Sequence, residues 1–240
     1  MSFPVVRILA CGAWLVATIC GCGGQPAATD ARLERIDTLE KQIDRLEAEA
    51  GRLQDVSAVK RLQRAYGYYV DAASWDEVAD LFADDGSIEI GQDGVYVGKE
   101  RVRQYLHTLG GGRVGLKQGQ LNEHMQLQPV VDVAADGRTA KGRWRAFIMA
   151  GQYGESAVWG EGPYENEYVK QDGVWKISKL HWYQTFLVPY AGGWVKNRDL
   201  NGGVFVSKTL SPDRPPSEAY ATWPNVYIPP YHYKNPVTGN

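Results

Sequence analysis

Between Ala31 and Leu53 the apolar residues Ile36, Leu39, Ile43, Leu46, Ala50 and Leu53 recur at alternating steps of three and four, with charges between them. That spacing is a heptad seam and predicts a helix over 31–54. Ile36, Ile43 and Ala50 take the a positions and Leu39, Leu46 and Leu53 the d positions, a set that favours parallel dimers and so a homo-oligomer. Fewer than three full heptads, with Ala50 weakening the end, also suits an amphipathic helix packed on its own domain. A second stripe, Val59, Leu62, Tyr66, Tyr69, Val70 and Ala73, predicts a second helix ending near Ser74. Val78, Leu81 and Phe82 predict a third over Trp75 to Phe82, broken by Asp84-Asp85-Gly86.

Beyond this point the period changes. Ser87 to Ile90 reads as a strand, Gln92-Asp93-Gly94 as a turn, and Lys99 to Leu106 as one more helix before Gly110-Gly111-Gly112. Four longer strands are expected over Asn122–Val133, Ala140–Ala150, Ala157–Lys170 and Val174–Phe186, punctuated by Asp136-Gly137 and Asp172-Gly173. Helices first and an antiparallel sheet second define an α+β domain, with helices on one face of a bent sheet. Pro215-Pro216, Pro229-Pro230 and Pro236 forbid regular structure in the tail 189–240. Its aromatics Tyr220, Trp223, Tyr227, Tyr231 and Tyr233 predict that it lies along the domain.

The N-terminus adds a destination. Arg7 followed by the apolar run Ile8 to Ile19 is a secretory signal too short to span a bilayer. Ile19-Cys20-Gly21-Cys22 resembles the bacterial lipobox, with Cys22 as the lipid-anchored residue. Gly23 after it points to an outer-membrane lipoprotein facing the periplasm. Residues 1–22 are thus the leader and anchor, 23–30 a Gly/Pro/Ala tether, and 55–188 the main domain. All three cysteines, Cys11, Cys20 and Cys22, fall in the leader, which excludes disulfides and a cysteine nucleophile from the mature domain. A net charge of −2 gives no basic footprint for nucleic acid. Eight Trp and fourteen Tyr are enough both to fill a core and to line a pocket for a flat ring.

Tyr66-Gly-Tyr-Tyr-Val-Asp-Ala-Ala-Ser-Trp-Asp-Glu-Val-Ala-Asp-Leu-Phe-Ala-Asp-Asp-Gly, then Tyr96-Val-Gly-Lys-Glu, then Glu165-Asn-Glu-Tyr-Val-Lys-Gln-Asp-Gly-Val-Trp-Lys-Ile, resembles in order the SnoaL-like branch of the nuclear transport factor 2-like superfamily. The resemblance covers about residues 55 to 188 and implies a cone: a curved sheet wrapped around a long helix, with a pocket at the open end. The branch contains dehydratases, isomerases, epoxide hydrolases, cyclases and binding modules, so fold alone does not assign function. Within it, scytalone dehydratase-like members place an aspartate before the Asp-Trp turn and a histidine on the first long strand. Asp71 and His124 match these two, and other polar positions of that pocket fall here on Val70, Ile90 and Gly162. The aromatic-rich domain with its extended tail also resembles, in overall character, the lyases that release formaldehyde from lignin-derived diaryl compounds.

What the resemblance implies is a cofactor-independent lyase acting on a small aromatic, hydroxylated substrate, with Asp71 and His124 as catalytic residues. A histidine near neutrality and one carboxylate suffice for an acid/base elimination. The alternative is a non-catalytic ligand-binding or envelope assembly lipoprotein. Strand alternation puts Tyr164, Asn166 and Tyr168 on one face and Arg143, Arg145 and Phe147 on the other; one bulge would exchange them. Tyr164 and Asn166 are the preferred substrate-binding residues, with Tyr66, Tyr69, Arg143 and His181 as further candidates. His107, His124, His181 and His232 never fall at close metal-ligand spacing, so no metal is expected, and Gly110-Gly111-Gly112 lacks the ending of a phosphate loop.

Overall fold

The computed structural model describes residues 26–109, 111–200 and 209–240. The leader with Cys22, the first part of the tether and Gly110 lie outside them. The chain divides into two units at Glu47/Ala48. In the first, helix α1 (Pro26–Asp71) begins at Pro26, inside the expected tether. Proline suits a first helical position because its missing N–H has no intrahelical acceptor there. Ile36, Leu39, Ile43 and Leu46 of the heptad stripe are exposed. Among the described residues no helix is long and apolar enough to cross a membrane.

The two helices expected over 31–54 and 55–73 are one. No proline interrupts Leu53 to Val59, so the change from one stripe to the next does not end the helix. In the second unit α1 buries Val59, Gln63, Tyr66 and Val70, a face repeating at four and three. It stops where Ala73 turns into the left-handed region at φ 51. The Ser74 amide closes the last turn on the Tyr69 carbonyl at 2.9 Å, and the Ser74 carbonyl accepts the Val78 amide to open α2 (Trp75–Asp80).

Phe82, expected at the end of that short helix, instead opens strand β1 (Phe82–Ile90). Its backbone is captured by β6 (Val174–Trp182): Phe82 pairs with Ile177, and the Ile177 amide donates to the Leu81 carbonyl. Asp84-Asp85-Gly86 is therefore an irregularity within β1, between the Phe82 and Ser87 pairings. After β2 (Val95–Val97) and α3 (Lys99–Leu109) come three long strands, β3 (Gln120–Val133), β4 (Thr139–Gln152) and β5 (Ser156–Gln171). The sheet order is β2-β1-β6-β5-β4-β3. All pairings are antiparallel except β1 with β6.

The single strand expected over Val174–Phe186 is split. After Trp182 the chain leaves the second half of β5 and returns as β7 (Phe186–Pro189) against Val158–Glu161 at its start. At this step a Cβ on Gly162 would lie 2.1 Å from the Tyr183 carbonyl oxygen, so only glycine fits.

Alternation sorts the faces. Trp144, Ala146, Ile148, Tyr164, Tyr168, Ile177, Leu180 and Trp182 join Tyr66 and Val70 in the core. Arg143, Glu165, Glu89 and His181 occupy the opposite face, where the described part of the tail lies along them. Val95 forms a bridge with Arg214, Ser217 donates its amide to Glu89 at 2.7 Å, Tyr220 stacks on Tyr227, and His232 meets Glu165 at 2.8 Å. Helix α4 (Gly193–Lys196) accompanies the aromatic group Trp159, Tyr190 and Trp194.

Candidate active site

A cavity of about 520 Å³ opens between the end of α1, α3 and the concave sheet. Its deep wall is apolar and aromatic: Val70, Trp75, Ile90, Ile148 and Trp182 line it and are buried. Two residues where the resemblance expects polar groups, Val70 and Ile90, thus contribute hydrocarbon. Tyr66 and Tyr164 also line it, their rings edge to face with centroids 6.1 Å apart. Burial pushes the Tyr164 phenol up to about 12 and the Tyr66 phenol well above its ordinary value, so both stay protonated donors at neutral pH.

His124 lines the same wall from the start of β3. Two bonds fasten that strand to the end of α1: the Asn122 side chain donates to the Val70 carbonyl at 2.8 Å, and the His124 backbone amide donates to Asp71 Oδ1 at 2.5 Å. The approach is close enough that a Cβ on Gly67 would sit 2.9 Å from Gln126 Cγ and 3.0 Å from the His124 carbonyl oxygen. His124 Nδ1 is buried without a hydrogen-bond partner, 4.0 Å from Asp71 Oδ1. Burial lowers the His124 pKa to about 4, so the ring is neutral at neutral pH. Asp71 is raised, by desolvation first and by the nearby Glu123 in addition, while the His124 amide works the other way.

The fold brings four of the expected residues to this place: His124, Tyr66 and Tyr164 on the wall, and Asp71 directly behind His124. The others lie elsewhere. Asn166 shares the inward face but sits deeper, where it donates to Gln63 Oε1 at 3.0 Å and accepts the His181 amide at 3.0 Å. Tyr69 is on the exposed side of α1. Arg143 faces the tail, where it pairs with Glu165, donates to the Pro229 and Pro230 carbonyls at 3.2 and 3.4 Å, and lies 4.2 Å from the Tyr231 ring centre. His181 is also on that face, stacked on Tyr183 at 3.7 Å and 3.5 Å from Glu89. The strand register accounts for the last two: Arg143 pairs with Glu165 and so points away from Trp144 and Tyr164, and His181 pairs with Glu89 and so points away from Ile90 and Trp182.

Lining residues missed from sequence include Trp75, Trp182, Asn122 and, on the segment 113–120, Arg113, Gly115, Lys117 and Gln120. Trp182 could have been found from alternation with Leu180. The Arg113 to Gln120 segment carries no periodic signal. Among the described residues, no group of three or more His, Cys, Asp or Glu side chains is placed to hold a metal ion.

Solved structures share this architecture. A hexachlorocyclohexane dehydrochlorinase of the LinA-type3 class from Novosphingobium barchaimii LL02 is 23% identical with a TM-score of 0.52, covering 60% of this chain and 95% of that one. A LinA type2 dehydrochlorinase is 24% identical with a TM-score of 0.51, covering 60% and 94%. A candidate scytalone dehydratase from Novosphingobium aromaticivorans DSM 12444 is 22% identical with a TM-score of 0.51, covering 59% and 91%. At these identities the likeness is one of fold. The SnoaL-like domain family matches residues 51–181, more than half of the sequence and every cavity-lining residue but Trp182 and Leu187, and the chain belongs to that family.

Proposed function

We propose that this protein is a cofactor-independent lyase that removes water or formaldehyde from a small hydroxylated aromatic compound, a lignin-derived diaryl compound being a fitting size. The observation that carries the reading is His124: a neutral imidazole on the wall of an open cavity, with a buried, unpartnered Nδ1 4.0 Å from a carboxylate. A cavity filled by its own Trp and Tyr side chains would have favoured a binding or assembly module instead.

In a dehydration, the substrate C–H bond breaks and its proton passes to His124. The electron pair forms the new C=C bond, the C–O bond breaks, and His124 returns the proton to the departing oxygen, so that water leaves. In a deformylation, the hydroxymethyl O–H proton passes to His124 and the C–C bond to that carbon breaks, giving formaldehyde. Its electron pair forms the C=C bond as the neighbouring hydroxyl departs, again as water. Asp71 stabilises the transient imidazolium, and its bond to the His124 backbone amide fixes the ring's position. Protonated Tyr66 and Tyr164 can hydrogen-bond the leaving oxygen. The apolar wall excludes water from the unsaturated product.

Incubating the purified protein with aromatic diols and diaryl propanoids, and following product by mass spectrometry and formaldehyde by a colorimetric assay, tests the reading. Turnover of neither class would refute it. We further propose that the protein works as an exported homo-oligomer, anchored through Cys22 and associated through the exposed heptad stripe.

A further inference from the structure

The cavity has an uncharged interior and a cationic mouth. Its exposed lining residues, which mark the open side, are Leu109, Arg113, Lys117, Gln120, Leu121 and Glu155. Arg113 and Lys117 face a single carboxylate there, Glu155, and none of the three is in an ion pair among the described residues. Among the described residues the Arg113 guanidinium donates to the Leu116 carbonyl, at 3.3 Å, and to no carboxylate.

The segment that carries the two cations is pinned at both ends. Trp75 Nε1 donates to the Arg113 carbonyl at 2.8 Å, and the Gly115 amide to the Ala73 carbonyl at 3.1 Å. At the other end the Gln152 side chain donates to the Gln118 carbonyl at 2.9 Å, and the Tyr153 amide to the Gly119 carbonyl at 2.8 Å. The cations are therefore held at the rim by the helix turn on one side and the β4–β5 hairpin on the other. Inside, neutral His124 and the protonated tyrosines offer no counter-charge, and Asp71 behind His124 repels an anion. A flat ring is favoured by the deep aromatic wall and a negative group by the rim.

We infer that the substrate class is an aryl compound bearing an anionic group, a carboxylate foremost, on a short arm: the ring enters toward Tyr66, Tyr164 and Trp182 and the anion stays at Arg113 and Lys117. This rests on the reading of the cavity as a substrate pocket, and it adds the orientation and charge of what enters. Arg113 and Lys117 are specificity residues and take no part in the proton transfer.

The test is calorimetric titration of the full mature chain with 4-phenylbutanoate and with its neutral isostere 4-phenylbutanamide, at low and high salt. The expected result is a preference for the carboxylate of about three- to tenfold at low salt, the size of two solvent-facing ion pairs, shrinking as salt rises. Arg113→Gln with Lys117→Gln should abolish the preference and leave the amide's affinity unchanged within about twofold, whereas Glu155→Gln should raise it. Equal affinity for the two probes, or a preference that survives the double substitution, overturns the inference. Equal affinity would leave the lyase reading intact, since neutral aryl compounds would still enter. Binding of neither probe would also overturn the inference, while the lyase reading stands or falls on turnover of the diols and diaryl propanoids.

Discussion

Replacing Arg143 by Met should loosen the tail and leave the cavity alone. The guanidinium is mostly buried between β4 and the tail, and it meets the Glu165 carboxylate, two proline carbonyls and the Tyr231 ring together. Methionine keeps much of the stem and removes the charge, leaving the partly buried Glu165 with His232 as its remaining polar partner among the described residues. Breaking a buried ion pair from one side costs about 3–5 kcal/mol. The retained His232 contact and the water that reaches the freed carbonyls place this site near the lower end. About 3 kcal/mol corresponds to a fall in Tm of roughly 6–12 °C for a domain of this size. Thermal melts and limited proteolysis should show the lower Tm together with early cleavage between Pro215 and Tyr233. Arg143→Met with Glu165→Leu should recover most of the loss, because no buried charge then remains unpaired. A Tm within about 1 °C of the parent with an uncut tail would refute the tail clamp. A lost affinity for aryl ligands with a stable tail would show that Arg143 reaches the cavity after all.

Leu39→Asp with Leu46→Asp should lower the mass measured by light scattering, since both are d positions of the exposed stripe; an unchanged mass would show that the stripe does not mediate assembly. Cys22→Ser should leave the protein unprocessed or shift it from the membrane fraction to the soluble one, and continued fractionation with the outer membrane would contradict lipid anchoring. Stability should fall as pH drops from about 6.5 toward 4. His124 and His181 titrate in the native state at about 4 and about 3, below their unfolded value of 6.5, so the unfolded chain binds more protons across that window. Each contributes up to about 1.4 kcal/mol per pH unit there, and raised Asp71 acts in the opposite sense only above its own unfolded value of 3.8. Denaturant melts of His124→Gln between pH 6.5 and 5 should show roughly half the parent slope; an unaltered slope would mean that its ring is not buried neutral.

The elements legible in the sequence were those set by period and by turn residues: the stripe of α1, the hairpins at Asp136-Gly137 and Asp172-Gly173, and the shared face of Tyr164, Asn166 and Tyr168, though not that this face points inward. Asp71 and His124 were legible as a pair only through family resemblance, because nothing in their local spacing joins residues more than fifty positions apart. Two of the errors share a cause in tertiary pairing. Phe82 fits a helical step yet is taken by Ile177 of β6, and the last strand reads as continuous although it bends where Gly162 lets Tyr183 approach. Arg143 and His181 look like site residues by type, but alternation sends both to the face that the tail covers. Asn166 faces inward, and the buried amide of Gln63 holds it below the cavity floor.

The measurement that bears most directly on catalysis is the turnover of His124→Gln on whichever aromatic diol or diaryl propanoid the parent converts. Asp71 accepts the His124 backbone amide, so this substitution keeps the tie between α1 and β3 and removes only the titrating ring. The rate should fall roughly 10²- to 10⁴-fold while substrate affinity changes by no more than a few-fold. A turnover number within a few-fold of the parent's would contradict a proton carried by His124.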